Sequence, residues 1–346
     1  MDPHASRYAK QILFHGIGAE GQVRLGQASV LVAGCGALGT ALVEGLVRAG
    51  VGRVRLVDRD FVDLSNLQRQ VLFDEDDVAR GLPKAVAAAN KLGRINHEVT
   101  VEPLVTDIGP DNVLALFQGM DLVLDGLDNF ETRFLLNDAS LETGIPWIYA
   151  GCLGAHGQTM PVIPGQTACL RCLIESPPDP GTADTCDTAG IIQPILSAIT
   201  ALQLVNAFKL LVGRGDEIEP VLTLVDVWDN SHRKLRLGTA QERQSCPACG
   251  LGQRDWLKGE RVARSSVLCG RNAVQISPAE RLRLSLDDLA TRLAPVGTVL
   301  QNAFLLRLEP TGTDYQITLF PDGRAIIKGT EDPVVARSVY ARFVGA

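Results

Sequence analysis

Short apolar, β-branched runs alternate with stretches in which apolar residues recur every three or four positions, over roughly the first 150 residues of the chain. Ser29 to Ala33 reads as a buried strand, the stretch around Leu42, Leu46 and Val47 as an amphipathic helix, and Arg53 to Val57 as a second strand. The alternation continues through a fourth strand at Asp121 to Leu124 and on to Tyr149. Strands near Gly157 to Ile163 follow, then a long apolar helix from Ile191 to Val212, then strands near Leu222 to Asp226 and Arg233 to Leu237. This order predicts an α/β fold: a doubly wound, Rossmann-like, mostly parallel sheet with an antiparallel extension.

Beyond residue 252 the pattern changes. Gln253 to Ser265 is polar and charged and reads as a linker between a domain at 1–252 and a smaller one at 266–346. In the smaller domain, Leu286 to Leu293 and Asp332 to Phe343 read as helices. Ala303 to Leu308, Tyr315 to Leu319 and Ala325 to Ile327 read as strands, with Pro321-Asp322-Gly323 as a hairpin turn. A small α+β module is expected.

Composition narrows the function classes. The chain has 346 residues, of which 46% are hydrophobic, enough for a sizeable core and for two domains. A net charge of −7 argues against a nucleic-acid surface, while leaving room for a basic patch that meets an acidic protein partner. The long apolar helix is interrupted by Pro194, Gln203, Asn206 and Lys209, so no membrane span is expected. His4, His15, His97, His156 and His232 are scattered, and no paired metal-hydrolase motif appears.

The chemistry concentrates between Ser29 and Asn129. Gly34-Cys35-Gly36-Ala37-Leu38-Gly39 joins the first strand to a helix, which places a phosphate at a helix N-terminus. Asp58 follows about 20 residues later, where a carboxylate accepts hydrogen bonds from ribose hydroxyls. These two features alone suit a dehydrogenase at least as well as an ATP enzyme. The segment Asp63 to Gln70 shifts the balance, because it ends in a guanidinium, Arg69, able to reach a triphosphate through paired donors. Lys84 opens a helix, where a cation opposes the macrodipole and so points to a local anion; an exposed surface lysine is the competing reading. Asp128 stands at the C-terminal end of a strand and could hold Mg²⁺ against phosphate oxygens. It could instead cap the next helix, a task Asn129 serves equally well.

Cysteines give a second signal. Cys169-Leu170-Arg171-Cys172 and Cys246-Pro247-Ala248-Cys249 are two C-x-x-C knuckles, and four thiolates in such pairs build a closed tetrahedral zinc site. The long interval between them means that the metal would staple distant segments. A redox C-x-x-C pair is the alternative. With no signal peptide recognised, disulfides are not expected, and the setting is read as cytoplasmic. Cys186 falls in a Pro- and Asp-rich stretch read as a loop, where an exposed thiol could be a nucleophile or have no role. Cys35, Cys152 and Cys269 read as small buried hydrophobes.

On these residues the chain resembles the MoeB/ThiF/HesA adenylyltransferases, relatives of the ubiquitin-activating enzymes. The resemblance runs from about Arg7 to about Gly250 and rests on Arg7-Tyr8-Ala9-Lys10-Gln11, on Gly34 to Gly39, and above all on Ser65-Asn66-Leu67-Gln68-Arg69-Gln70. It implies ATP-dependent adenylation of the C-terminal Gly-Gly carboxylate of a ubiquitin-like sulfur carrier, serving molybdopterin, thiamin or tRNA thiolation. It also implies a homodimer and a sulfur donor protein. By the same resemblance Gly34, Gly36, Gly39, Asp58, Asp60, Gln70 and Asn129 would line the nucleotide, Asn66, Arg69 and Lys84 would handle phosphates, and Asp128 would support Mg²⁺. The four knuckle cysteines would hold structural Zn²⁺, and Cys186 would sit where some members form a thioester or acyl-persulfide. Lys10 departs from the pattern, standing where the family has an arginine that reaches into the neighbouring subunit, so charge is kept and forked hydrogen bonding lost. Adenylation of a carboxylate on a modified tRNA base, and an NAD-dependent oxidoreductase, are the alternatives. The C-terminal module carries no catalytic pattern; docking of the carrier or sulfur donor and capping of the main domain are both open to it.

Overall fold

The computed structural model describes residues 7–176, 190–238, 243–259, 265–268, 271–277 and 283–344. These divide into two units, one built on described residues 7–176, 191–238 and 243–259 and one on residue 190 with those from 265 onward.

The first unit runs α1 (Ala9–Leu13), α2 (Gly18–Gln27), β1 (Ser29–Ala33), α3 (Ala37–Ala49), β2 (Arg53–Val57), α4 (Glu75–Arg80), α5 (Lys84–Ile95), β3 (Thr100–Leu104), α6 (Val113–Phe117), β4 (Leu122–Asp125) and α7 (Phe130–Thr143). It continues with β5 (Trp147–Leu153), β6 (His156–Val162), α8 (Leu170–Leu173), α9 (Gln193–Leu211), β7 (Val221–Asp226) and β8 (Ser231–Arg236). The strands form one sheet in the order β3-β2-β1-β4-β5-β6-β7-β8. The first five pair in parallel, and β6, β7 and β8 extend the sheet antiparallel. The order turns back between β1 and β4, and that switch point is where open α/β sheets leave a crevice for ligands.

Period-two alternation sends successive residues of each strand to opposite faces. Val30 and Val32 join Leu42, Leu46, Ala85 and Ile199 in one core; Leu31 and Ala33 join Phe117, Phe134, Trp147 and Tyr149 in the other. Both faces are covered, so the strands read as nearly continuous apolar runs. Helix α9, at 19 residues, is long and apolar enough to cross a membrane. One face of it packs into the core, with Ile195, Leu196, Ile199 and Ala207 buried, and Gln203 reaches the Asp125 and Ile148 carbonyls at 3.0 and 3.3 Å.

The stretch read as a linker begins as packed structure. Trp256 is buried, its ring 5.2 Å from that of Phe134, and its amide donates to Asp138. Residues 253–259 therefore belong to the packing of the first unit.

The second unit comprises β9 (Ser265–Leu268), β10 (Ala273–Ile276), α10 (Leu286–Leu293), β11 (Gly297–Gln301), β12 (Leu306–Pro310), β13 (Gln316–Leu319), β14 (Ala325–Lys328) and α11 (Pro333–Val344). Its antiparallel sheet has the order β11-β12-β13-β14-β10-β9, with Leu306, Leu308, Ile317, Leu319 and Ile327 buried together with Leu289 and Ala336. The expected start of a strand at Ala303 moves to Leu306 because the Asn302 side chain accepts the Phe304 and Leu305 amides, a local turn that competes with pairing. Strands β9, β10 and β11 add three to those expected there.

Candidate nucleotide site and metal centre

The glycine turn and the acid after β2 are joined directly. Gly34 continues the ladder with its amide on Val57 O, and Asp58 accepts the Cys35 amide at 2.6 Å and the Asp60 amide at 2.7 Å. Burial raises the Asp58 pKa above the ordinary carboxylate value, against the opposing charge of Lys84. Burial also pushes the Cys35 thiol up, with the Asp58 charge adding to it, so Cys35 is an inert filler of the turn.

The three glycines of the turn differ in what holds them. Gly34 has φ +92, and a Cβ on Gly39 would lie 2.0 Å from Gly34 O; both are fixed by the fold. A Cβ on Gly36 would meet only Gly126 O, at 3.8 Å. Gly36 is the N-cap of α3, with no side-chain cap on the helix terminus. The space beside it is open to a ligand, and the donors of the first turn face it.

Lys84 is buried at 3% exposure, which rules out the surface-lysine reading. It is the first residue of α5, its amide on Asp60 O at 2.9 Å and its Nζ 3.1 Å from Asp60 Oδ2. Asp58, Asp60, Cys35 and Lys84 thus form one connected group, with Cys35 Sγ 3.7 Å from Lys84 O. Neighbouring Arg59, unremarked in the sequence, pairs with Asp107 at 2.7 Å; burial works against its charge, but Asp107, Asp60 and Asp128 together raise its pKa.

The polar signature segment folds as a tight turn. Asp63 accepts the Ser65 amide, Asn66 is buried, and the Arg69 and Gln70 amides both donate to Asn66 O. Arg69 Nη1 reaches Ser65 O at 2.8 Å, while Gln70 Oε1 is buried without a partner. Lys10 is exposed on α1, and no contact joins it to this group among the described residues.

At the end of β4 the acids part company. Asp125 is buried and pairs with Arg133 at 2.9 Å; burial raises its pKa and the guanidinium opposes that. Asn129 takes the cap of α7, accepting the Thr132 amide at 2.9 Å. Asp128 is left exposed, with no hydrogen bond or ion pair among the described residues, beside the switch point. Arg133 and Gln203 fix the backbone of this loop; the sequence reading passed over Arg133 and took Gln203 only as a polar interruption of the long apolar helix, because neither has a partner nearby in the chain. Cys186 and Cys269 lie outside the described residues.

The knuckles come together as a candidate metal centre. The Sγ atoms of Cys169, Cys172, Cys246 and Cys249 all lie within 4.8 Å of one another, with contacts of 3.9, 3.7 and 3.4 Å. A tetrahedron with zinc–sulfur bonds of about 2.3 Å has edges of about 3.8 Å, so the donor set fits zinc. A disulfide of about 2.05 Å does not fit these separations. Hydrogen bonds from Cys169 and Cys172 lower the Cys249 pKa to about 7, against Cys246 and burial, which raise it. Helix α7 braces the first knuckle and the segment that follows the second: Asn137 accepts the Leu170 amide at 2.8 Å, and Asp138 accepts the Trp256 and Leu257 amides at 3.0 and 3.3 Å.

Comparison with known proteins agrees with this architecture. A profile of the ThiF family matches residues 8–248. A Bacillus subtilis protein named sulfur carrier protein ThiS adenylyltransferase is 43% identical over 340 residues, 98% of this chain and 99% of that one. A Thermus thermophilus sulfur carrier protein adenylyltransferase is 39% identical over 249 residues, covering 70% of this chain and 90% of its own. The crystal structure of E. coli MccB with ATP shares the fold, with a TM-score of 0.61, 23% identity, and coverage of 70% of this chain and 74% of that one.

Proposed function

This chain belongs to the ThiF family, and from that premise we infer that it is an adenylyltransferase that activates the C-terminal carboxylate of a small sulfur carrier protein of the ThiS kind. The observation that carries this reading is the meeting, at one end of the sheet, of an open helix N-terminus at Gly36, the half-buried Asp58, the buried Lys84, and Asp128, unpaired among the described residues.

The chemistry asks little of a general base. The carrier carboxylate, already ionised, attacks the α-phosphorus of ATP; the bond to the bridging oxygen breaks, and pyrophosphate leaves with the electron pair. Charge stabilisation is what the protein supplies. Asp58 accepts ribose hydroxyls, the amides after Gly36 face phosphate, and Lys84 and Arg69 neutralise the departing pyrophosphate. Asn66, Asp60 and Gln70 line the same pocket, and the unpaired Gln70 oxygen suits a donor on the bound nucleotide. Asp128 would hold Mg²⁺, which when bound screens the phosphate charge. The four knuckle cysteines would hold Zn²⁺ as a structural staple.

The wider assembly follows the same reading. Leu13 and Phe14 at the end of α1, Val23 on α2 and Val205 on α9 are exposed apolar residues, and we assign them to a homodimer interface. Lys10 would reach the partner's phosphates across that interface. The ThiF family profile matches residues 8–248 and stops short of the module at 266–346, which is therefore assigned a role outside adenylation, docking the carrier or its sulfur donor. A reducing, cytoplasmic setting suits the free thiols.

The test is ATP–pyrophosphate exchange with Mg²⁺ and each small Gly-Gly-terminated carrier of the same genome, intact and tail-truncated. Exchange that depends on one intact tail is expected. No exchange with any carrier, from zinc-loaded protein that binds ATP, would remove the carrier from the assignment. Truncation after residue 262 that leaves carrier affinity unchanged would remove the docking role of the module.

A further inference from the structure

Helix α7 carries a buried arginine that the adenylation chemistry above does not use. Arg133 is 6% exposed, its Nε lies 2.9 Å from Asp125 Oδ2, and its Nη2 donates to Leu127 O at 2.6 Å. Its guanidinium lies 5.6 Å from the ring centroids of both Phe130 and Tyr149. Asp125 in turn accepts the Leu127 amide at 2.9 Å and the Ala150 amide at 3.2 Å. Leu127 is therefore held at both ends of its backbone, its N–H by Asp125 and its C=O by Arg133. Two residues on, Asn129 is fixed as the cap of α7. Asp128 is the one residue between these fixed points, and its carboxylate is the one left without a partner.

We propose that Arg133 is the positioning residue for Asp128, its forked guanidinium clasping the Leu127 carbonyl and the Asp125 carboxylate so that the Asp128 carboxylate is presented to the nucleotide-bound cation. The proposal rests on the reading of Asp128 as a cation ligand. A buried ion pair is weak as a source of stability, since desolvation offsets the attraction. Its worth here is geometric: two nitrogens of one rigid plane fix two groups at once, which a single ammonium cannot do. Burial opposes the Arg133 charge, and Asp125 above all, with smaller contributions from Tyr149 and Asp128, keeps the guanidinium ionised. Arg133 does not touch substrate in this role; it acts through the loop.

The experiment is Arg133→Lys, which keeps the charge beside Asp125 and forfeits one of the two contacts. Pyrophosphate exchange is measured as a function of Mg²⁺, alongside the ATP KM at saturating Mg²⁺, the melting temperature and the zinc content. The expected result is a rise of about 10- to 100-fold in the Mg²⁺ concentration for half-maximal exchange, as for loss of a group supporting a metal ligand. ATP KM at saturating Mg²⁺ and zinc content stay at wild-type values. Should Arg133→Lys fail to fold, Asp125→Asn keeps an oxygen toward the Leu127 amide, weakens the clasp and carries the same expectation. Unchanged Mg²⁺ dependence, with Asp128→Ala inactive, overturns the proposal alone. Full exchange by Asp128→Ala overturns the reading beneath it and the proposal together.

Discussion

Asp58 accepts the backbone amide of Cys35 at 2.6 Å, so the acid that ends β2 also shapes the turn that ends β1. This bond leaves the glycines of the turn with separable duties, and substitution tells them apart. Gly39→Ala would place a methyl 2.0 Å from Gly34 O and is expected to cost about 3 kcal/mol or more in stability, as overpacking does. Gly36→Ala should fold and melt as wild type, because its methyl meets only Gly126 O at 3.8 Å, yet lose about tenfold or more in ATP affinity. Thermal melts and nucleotide titration of the two variants are the measurement.

Lys84 and Arg69 should fail differently. Lys84 is buried against Asp60, so Lys84→Met removes both a phosphate ligand and the partner of a shielded carboxylate. Exchange activity should fall by about 100- to 1,000-fold, with some loss of stability. Arg69→Ala touches one carbonyl only, so activity should fall comparably with the melting temperature unmoved. Steady-state exchange and calorimetry separate the two.

Much of this site was legible in the chain, for physical reasons. The glycine turn, Asp58, Lys84 and the four cysteines are read from spacing because backbone conformation and metal coordination fix which residue types can stand there. Period-two and period-3.6 patterns placed β1 and β2 at their observed ends. What was hidden depends on tertiary partners. Lys84 points to a local anion in the chain, but that its side chain is buried, paired with a half-buried Asp60, shows only in the fold. Asp125 reads as part of an acidic loop until Arg133, on the next helix, draws it into the core. Strand β11, with Thr298, Leu300 and Gln301 exposed, has too mixed a pattern to be distinguished from a loop.

The cysteine cluster predicts about one zinc ion per chain by elemental analysis. Removal by a chelator that competes for thiolates should lower the melting temperature by about 10 °C or more, since the site ties α8 to the segment around Cys246 and Cys249. Cys172→Ser should do the same. Full stability after complete zinc loss would exclude a structural staple.

Asp138 gives the fold a pH dependence of definite sign. Burial pushes its pKa up to about 6 from the ordinary 3.8, so its neutral form is favoured in the folded chain. The stability it contributes is complete below the ordinary carboxylate value and is lost as pH rises through about 6. Asp138→Asn keeps an acceptor for the Trp256 and Leu257 amides without the charge, and should be more stable than wild type at pH 8 by about 1–2 kcal/mol. Melting curves of both proteins from pH 4 to pH 8 check this: the difference should shrink toward pH 4.

Helix α7 has Asn129 as its cap, Arg133 one turn in, and Asn137 and Asp138 a turn further on, each fastened to a different part of the first unit. Each residue of an α-helix advances the chain by about 1.5 Å and turns it by about 100°. A single insertion or deletion between Asn129 and Asn137 would therefore swing Asn137 and Asp138 off the Leu170, Trp256 and Leu257 amides while the Asp128 end stayed in place, or the reverse. The count of residues in this span is as much a specification of the protein as their chemistry. Length variation should be lethal here even where substitution is tolerated.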